Sequence, residues 1–300
     1  GPYDGQLSTG IRVRQGEGQC EGCCNKIHDN DITVRARIFQ AQGIFLSGTL
    51  NNTFWNNRIT TIDEGNFVTL RDCYVSAAGI CIQEMPTGNN FPLYPVRKPE
   101  CLQTPPVGPG NLFFNNTVTS NSANLVLADT ENVTFISNTF IKTTSPAPYY
   151  PYYTIQSFDY VPLPGVTSND NWFIDSRFSG GADYNSYKLT YTSSFYVKWY
   201  LDLTVKDQNG NVVSGATVTI KDSSANTEFT GTTDAQGKVR AILRQKKTSD
   251  TGTTTYTPHS VTATYSGTSS TQSVTMDSSK SLIVTLNLVP CTNGQTRSCS

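Results

Sequence analysis

Charge is scarce in this sequence. Lysine and arginine number 22 and aspartate and glutamate 23, so charged residues make up 15% of the chain and the formal net charge is -1. Soluble domains carry about 25%, so the surface must be built from Ser, Thr, Asn, Gln and Gly. Near-balance of sign leaves no basic stripe for a nucleic-acid partner. Histidine is scarcer still: His28 and His259 lie far apart in the chain, which leaves no plausible Ser-His-Asp set. No phosphate loop or dinucleotide fingerprint occurs, and no apolar run approaches the ~18 residues of a spanning helix, so membrane insertion is not expected. The opening Gly1-Pro2-Tyr3-Asp4-Gly5 has no leader character and reads as a processed or trimmed start. Hydrophobic residues reach only 36%, which suits thin all-β cores, and 300 residues leave room for about two domains.

Cysteine, by contrast, is plentiful and even in number: Cys20, Cys23, Cys24, Cys73, Cys81, Cys101, Cys291 and Cys299. Such usage predicts disulfides and an extracellular or cell-surface home. Six cysteines in the first 101 residues allow 15 pairings, so that set stays unassigned; Cys291 and Cys299 pair most simply with each other. Cys20-Glu21-Gly22-Cys23-Cys24 fails as a c-type haem motif because the histidine arrives only at His28. Zinc held by Cys20, Cys23 and His28 is the alternative to disulfides. Asn51, Asn115 and Asn132 head glycosylation sequons, which Asn- and Thr-rich chains also generate by chance.

A short template recurs: a large apolar residue, asparagine or a small substitute three positions on, and a second apolar residue two beyond that. It reads Ile27-Asn30-Ile32, Phe54-Asn57-Ile59, Leu70-Cys73-Val75, Phe113-Asn116-Val118, Phe135-Asn138-Phe140 and Phe173-Ser176-Phe178. Alternating pairs (Ile11/Val13, Ile44/Leu46, Ile80/Ile82, Leu125/Leu127) recur between the copies, and the step to the next template is eight from Leu46, from Leu127 and from Ile62. An apolar pair two apart is a strand with one buried face. A step of five reverses that parity, so the chain must bend within the template. Asparagine at the third step suits the bend, because it tolerates left-handed backbone and bonds its neighbours. Short strands, a fixed corner and coils of roughly 16–22 residues describe a parallel β-solenoid with a ladder of stacked asparagines.

The phrases Gly43-Ile44-Phe45-Leu46, Asn51-Asn52-Thr53-Phe54-Trp55-Asn56-Asn57-Arg58-Ile59 and Asn111-Leu112-Phe113-Phe114-Asn115-Asn116 resemble right-handed parallel β-helix repeats of the pectin-lyase-like superfamily, in particular its Asn-rich surface-protein branch. The resemblance covers about residues 8–195 and speaks to fold more than activity, because catalytic and structural members share these repeats. Segments at about 14–25, 83–110 and 142–170 interrupt the repeat, and insertions at equivalent points of a solenoid land on one side. The third holds Tyr149, Tyr150, Tyr152 and Tyr153 among prolines, a set suited to sugar stacking, a protein contact or self-packing.

After Tyr191 the grammar changes to alternating strands and Gly-containing turns (Asn209-Gly210, Asp234 to Gly237), which predicts an antiparallel β-sandwich. The run Val205 to Val218, with Thr233 to Gly237 downstream, resembles carboxypeptidase-regulatory-like or bacterial-Ig-like domains, departing at Val213 where these commonly carry proline. That resemblance implies a spacer or adhesion module without chemistry of its own. The expected organisation is therefore all-β: a parallel β-helix over 1–195, a sandwich over 198–290, and a disulfide-closed tail over 291–300 that reads as the start of a further module.

Pectin-lyase-like enzymes use carboxylates and a base on an outer sheet, so the resemblance makes Asp29, Asp72, Arg71 and His28 the candidate catalytic group. If coils carrying Ile27, Phe54 and Leu70 are adjacent, Asp29 and Asp72 stand two coils, roughly 9.6 Å, apart, near the upper limit for a glycosidase pair. Asp63 and Glu64 are a candidate Ca²⁺ site; no other cofactor is expected. The outward positions Phe114, Ile136 and Ile174 form an apolar stack of the kind that marks a contact, and Trp55 and Phe114 are candidate binding residues. The favoured expectation is a secreted, non-catalytic surface, adhesive or filament protein whose partners are itself or other surface proteins. The alternative is a polysaccharide lyase, glycoside hydrolase or carbohydrate-binding module.

Overall fold

The computed structural model describes residues 8–14, 25–36, 41–47, 51–64, 77–83, 110–128, 130, 132–144, 153–158, 169–190 and 193–288. Every regular element in them is a β-strand. The chain divides into two compact units, Gly1–Tyr196 with Thr248–Thr253, and Val197–Lys247 with Thr254–Ser300.

The first unit is a parallel β-helix. Its strands are β1 (Ser8–Arg14), β2 (Lys26–His28), β3 (Asp31–Ala36), β4 (Ala41–Ser47), β5 (Thr53–Trp55), β6 (Arg58–Asp63), β7 (Ala77–Gln83), β8 (Leu112–Phe114), β9 (Thr117–Ser120), β10 (Ala123–Ala128), β11 (Thr134–Ile136), β12 (Thr139–Lys142), β13 (Ile155–Phe158), β14 (Asn171–Ile174), β15 (Arg177–Ser179) and β16 (Tyr187–Leu189). Every third strand pairs in parallel. Sheet A runs β1-β4-β7-β10-β13-β16, sheet B contains β2-β5-β8-β11-β14, and sheet C contains β3-β6-β9-β12-β15. Among the described residues five complete coils result, each visiting A, B and C in turn.

The template residues stack as their spacing requires. Ile27, Phe54, Phe113, Phe135 and Phe173 are register partners through sheet B. The four phenylalanines are fully buried, with successive ring centroids 4.6, 5.1 and 5.0 Å apart. Sheet C supplies the facing column Ile32, Ile59, Val118, Phe140 and Phe178. The template at 70–75 lies outside the described residues, and β5 pairs directly with β8, so Phe54 and Phe113 are neighbours. Ile62 also departs from expectation: Ile59, Thr61 and Asp63 are the buried alternates of β6, and Ile62 faces outward. Ile62 is therefore on the opposite face from the buried residue of the expected alternation.

The corner from sheet B to sheet C is two residues long in all five coils: Asp29–Asn30, Asn56–Asn57, Asn115–Asn116, Ser137–Asn138 and Asp175–Ser176. Long connections instead attach at the ends of sheet A strands, after β1, β7 and β13 and before β7 and β13. The segment expected as one insertion over 142–170 is interrupted by β13. The outer face of sheet A is buried as well: Phe45, Cys81 and Val126, partners in register, cluster with Ala78 and Ala123. Cys81 is disulfide-bonded; the other seven cysteines lie outside the described residues.

The chain enters the second unit within β17 (Ser194–Asp207), and continues through β18 (Thr217–Lys221), β19 (Thr227–Thr232), β20 (Lys238–Ser249), β21 (Gly252–Thr255), β22 (His259–Tyr265), β23 (Thr268–Val274) and β24 (Lys280–Leu286). Four strands form an antiparallel sheet in the order β19-β18-β22-β23. In the opposing layer β24 lies parallel to β17, a departure from an all-antiparallel sandwich. These two strands come from opposite ends of the unit's sequence, so no hairpin dictates their direction. Between the layers Leu201, Leu203, Val205, Val218, Ile220, Leu243, Val261, Ala263, Val284 and Leu286 are buried, the alternate positions that the sequence pattern marks.

Candidate functional site

The B-to-C corner builds the face on which the candidate residues stand. The first corner residue takes left-handed backbone: φ is 57° at Asp29, 52° at Asn56, 52° at Asn115, 53° at Ser137 and 48° at Asp175. Asn, Asp and Ser carry short polar side chains, and Asn and Asp in particular enter this region at lower cost than other residues. The second corner residue forms the ladder. Asn30, Asn57 and Asn116 each donate from Nδ2 to Oδ1 of the next rung, over 2.9, 2.9 and 3.0 Å. Backbone N–H groups of the same residues donate to the same oxygens. The other Nδ2 hydrogen of Asn57 and of Asn116 reaches a carbonyl of the preceding coil, Ile27 and Phe54 respectively, each at 3.0 Å; that of Asn30 reaches the His28 carbonyl of its own coil. The last rung is Ser176, whose hydroxyl accepts from the Asn138 N–H and donates to the Phe135 carbonyl. Bend and ladder are thus the work of adjacent residues, where the sequence reading gave both to one asparagine.

A second ladder, not anticipated, closes the corner entering sheet B. Asn25 donates to Asn52 at 2.8 Å and Asn52 to Asn111 at 2.9 Å. Val133 interrupts the column, and Asn171 resumes it by accepting from the Val133 N–H. The signal was available: asparagine stands two residues before Ile27, Phe54, Phe113 and Phe173. The sequon asparagines Asn51 and Asn132, like Asn115, occupy left-handed corners, with φ of 56° and 57°. Backbone geometry alone accounts for asparagine there.

On the outer face of sheet B, His28, Trp55, Phe114, Ile136 and Ile174 are register partners. His28 lies flat on Trp55, centroids 4.1 Å apart and planes 12° apart; Trp55 and Phe114 are parallel at 5.8 Å. Trp55, Phe114 and Ile136 are half-buried. Because these rings stack along the helix axis, their faces meet one another and their edges point outward.

Asp29 stands beside this column. Its carboxylate accepts from His28 Nδ1 at 2.5 Å and from Asn56 Nδ2 at 3.1 Å; these bonds hold it below the ordinary aspartate value. Asn56 in turn accepts from Asn115 at 2.8 Å. The next carboxylate of the corner column is Asp175, four coils away, about 19 Å at the ~4.8 Å strand spacing. Glycosidase carboxylate pairs need roughly 5–9.5 Å. Arg71 and Asp72 lie outside the described residues, as do Tyr149, Tyr150 and Tyr152; Tyr153 is half-buried just before β13. Asp63 is buried on β6, while the Glu64 carboxylate faces Arg35 at 3.5 Å. Among the described residues no group of three or more His, Cys, Asp or Glu side chains could hold a metal ion.

A scan against protein-family models and a search of curated proteins returned no match to this chain.

Proposed function

We propose that this chain is a non-catalytic structural protein of a cell surface or filament, in which the β-helix makes subunit contacts and the sandwich acts as a spacer. The observation that carries this reading is the in-register column Trp55, Phe114 and Ile136, half-exposed on the outer face of sheet B. Contiguous apolar surface of this kind marks a protein contact. An edge-on stack also offers a sugar ring little aromatic face to lie on, which favours a protein partner over a polysaccharide. The arrangement is consistent with the Asn-rich surface branch of pectin-lyase-like β-helices and with a carboxypeptidase-regulatory-like or bacterial-Ig-like second module. A disulfide at buried Cys81 fits an oxidising, extracellular setting.

Sedimentation velocity over a concentration series tests the reading. The purified chain is expected to self-associate, and Phe114→Lys to remain monomeric with an unchanged unfolding midpoint. A wild-type chain that stays monomeric at every concentration and releases products from an acidic polysaccharide would transfer the case to the carbohydrate-active alternative, for which the exposed His28 and the half-buried Trp55 are the starting point.

A further inference from the structure

The two ends of the β-helix are finished differently. At the far end the ladder is closed: Ser176 is fully buried, and Tyr184 donates its hydroxyl to the Ser176 carbonyl at 2.8 Å while its ring packs on Phe178 at 4.1 Å. At the near end β1, β2 and β3 are each terminal in their sheets among the described strands. Ile11, Val13 and Ile27 remain half-exposed there, whereas their partners one coil on, Ile44, Leu46 and Phe54, are buried to within 1%.

The ladders reveal what this end is shaped to receive. In the second and third coils the asparagine Oδ1 accepts two bonds from the coil before it, one from a backbone N–H and one from a side-chain amide: Asn52 from Asn25, Asn57 from Asn30, Asn111 from Asn52, Asn116 from Asn57. Asn25 and Asn30 donate to the second coil, Asn30 also to the His28 carbonyl of its own coil, and both are exposed with Oδ1 accepting no bond from a described residue. The ring of His28 is covered by Trp55 on one face. Thus two free acceptors five residues apart, an apolar side chain between them and a one-sided aromatic face present the lower half of every contact that joins two coils.

We propose that the first coil is a docking edge for an extended segment of another polypeptide that repeats the chain's own coil grammar. Such a segment adds in parallel to β2, with amide donors over Asn25 and Asn30, an apolar residue over Ile27 and a flat side chain over His28. Strand addition to a sheet edge is a general recognition mode in which main-chain bonds give affinity and alternate side chains give specificity. The ladder adds a requirement that an ordinary edge lacks, because an acceptor-only side chain at either asparagine position meets an acceptor. The inference deepens the assembly reading by naming a partner's chemistry, but it uses residues apart from the Phe114 contact, so either can fail alone.

The test is a peptide titration of the full chain followed by hydrogen exchange. The probe is the synthetic segment 51–58, which carries Asn52, Phe54, Trp55 and Asn57 at the required spacing. Its control carries Asn52→Asp and Asn57→Asp, changes that leave the folded protein untouched. Saturable binding is expected, with exchange protection at Lys26–His28 and a control that binds about tenfold or more weakly. Equal binding of the two peptides, protection confined to other strands, or no saturation by about 1 mM peptide would overturn the proposal.

Discussion

At the residue scale, the corner separates two demands that asparagine alone could meet. Asn115 sits outside at φ 52°, and Asn116 is buried with its amide committed to Asn138, Phe54 and Phe114. Their substitutions should therefore diverge. Asn115→Gly keeps the left-handed backbone and is expected to cost under about 1 kcal/mol, while Asn115→Val should cost about 1–2 kcal/mol more. Asn116→Ala strands the buried donors of Asn57, each worth about 1–3 kcal/mol, and should cost at least about 2 kcal/mol in urea unfolding. Equal costs at the two positions would dissolve the division of labour. The second unit carries its own residue-scale device. Burial would push the Glu228 carboxylate up, but hydrogen bonds from His259 and Arg244 outweigh it and hold it below the ordinary 4.5. Asp222, which also faces Arg244, is lowered by bonds from Asn226 and Ser224 despite burial. Tyr256 lies under the Arg244 guanidinium. Since the folded value is below the unfolded one, the contribution is complete above 4.5 and is lost as pH falls through the folded value. Denaturation at stepped pH should show that decline, and Glu228→Gln should flatten it.

At the element scale, the strands of sheet A answer to a constraint the periodicity does not express. Gly10, Gly43 and Gly79 precede the apolar pairs of β1, β4 and β7 and stand in one column. A Cβ on Gly43 would lie 2.2 Å from Ile59 Cγ2 and 2.5 Å from the Gly79 carbonyl oxygen. Sheet C can bring its β-branched column this close only because sheet A has no side chain there. Gly43→Ala is expected to destabilise by about 1–3 kcal/mol or more, the cost of overpacking, read as a lower thermal midpoint; an unchanged midpoint would mean the sheets are free to separate. The apolar columns were legible because they repeat with fixed parity. The glycine column and the entry ladder also left a trace in sequence, as Gly before the pairs at Ile11, Ile44 and Ile80 and Asn two before Ile27, Phe54, Phe113 and Phe173. They were missed because a small residue and a polar residue carry no hydrophobic periodicity.

At the scale of the whole molecule, the sequence pattern identifies the β-helix and the later sandwich but not which coils touch. Successive ladder rungs are 27, 59, 22 and 38 residues apart, so distance along the chain says little about distance in the stack. The candidate group of Asp29, Arg71 and Asp72 rested on a coil centred at Leu70 lying next to that of Phe54, a neighbour that Phe113 occupies instead. The outer column of Trp55 and Phe114 was legible because both follow a buried phenylalanine by one residue, and that relation survives any insertion between coils. Every role assigned to a face therefore depends on the pairing across the 59-residue gap. Thr60 and Thr119 are register partners on sheet C, and adjacent parallel strands bring Cα atoms within disulfide reach. Peptide mapping of the oxidised Thr60→Cys/Thr119→Cys variant is the direct measurement. A 60–119 cross-link is predicted; a chain in which Thr60→Cys instead links to Ser76→Cys, the equivalent position of a Leu70 coil, and never to position 119, would contradict the stack.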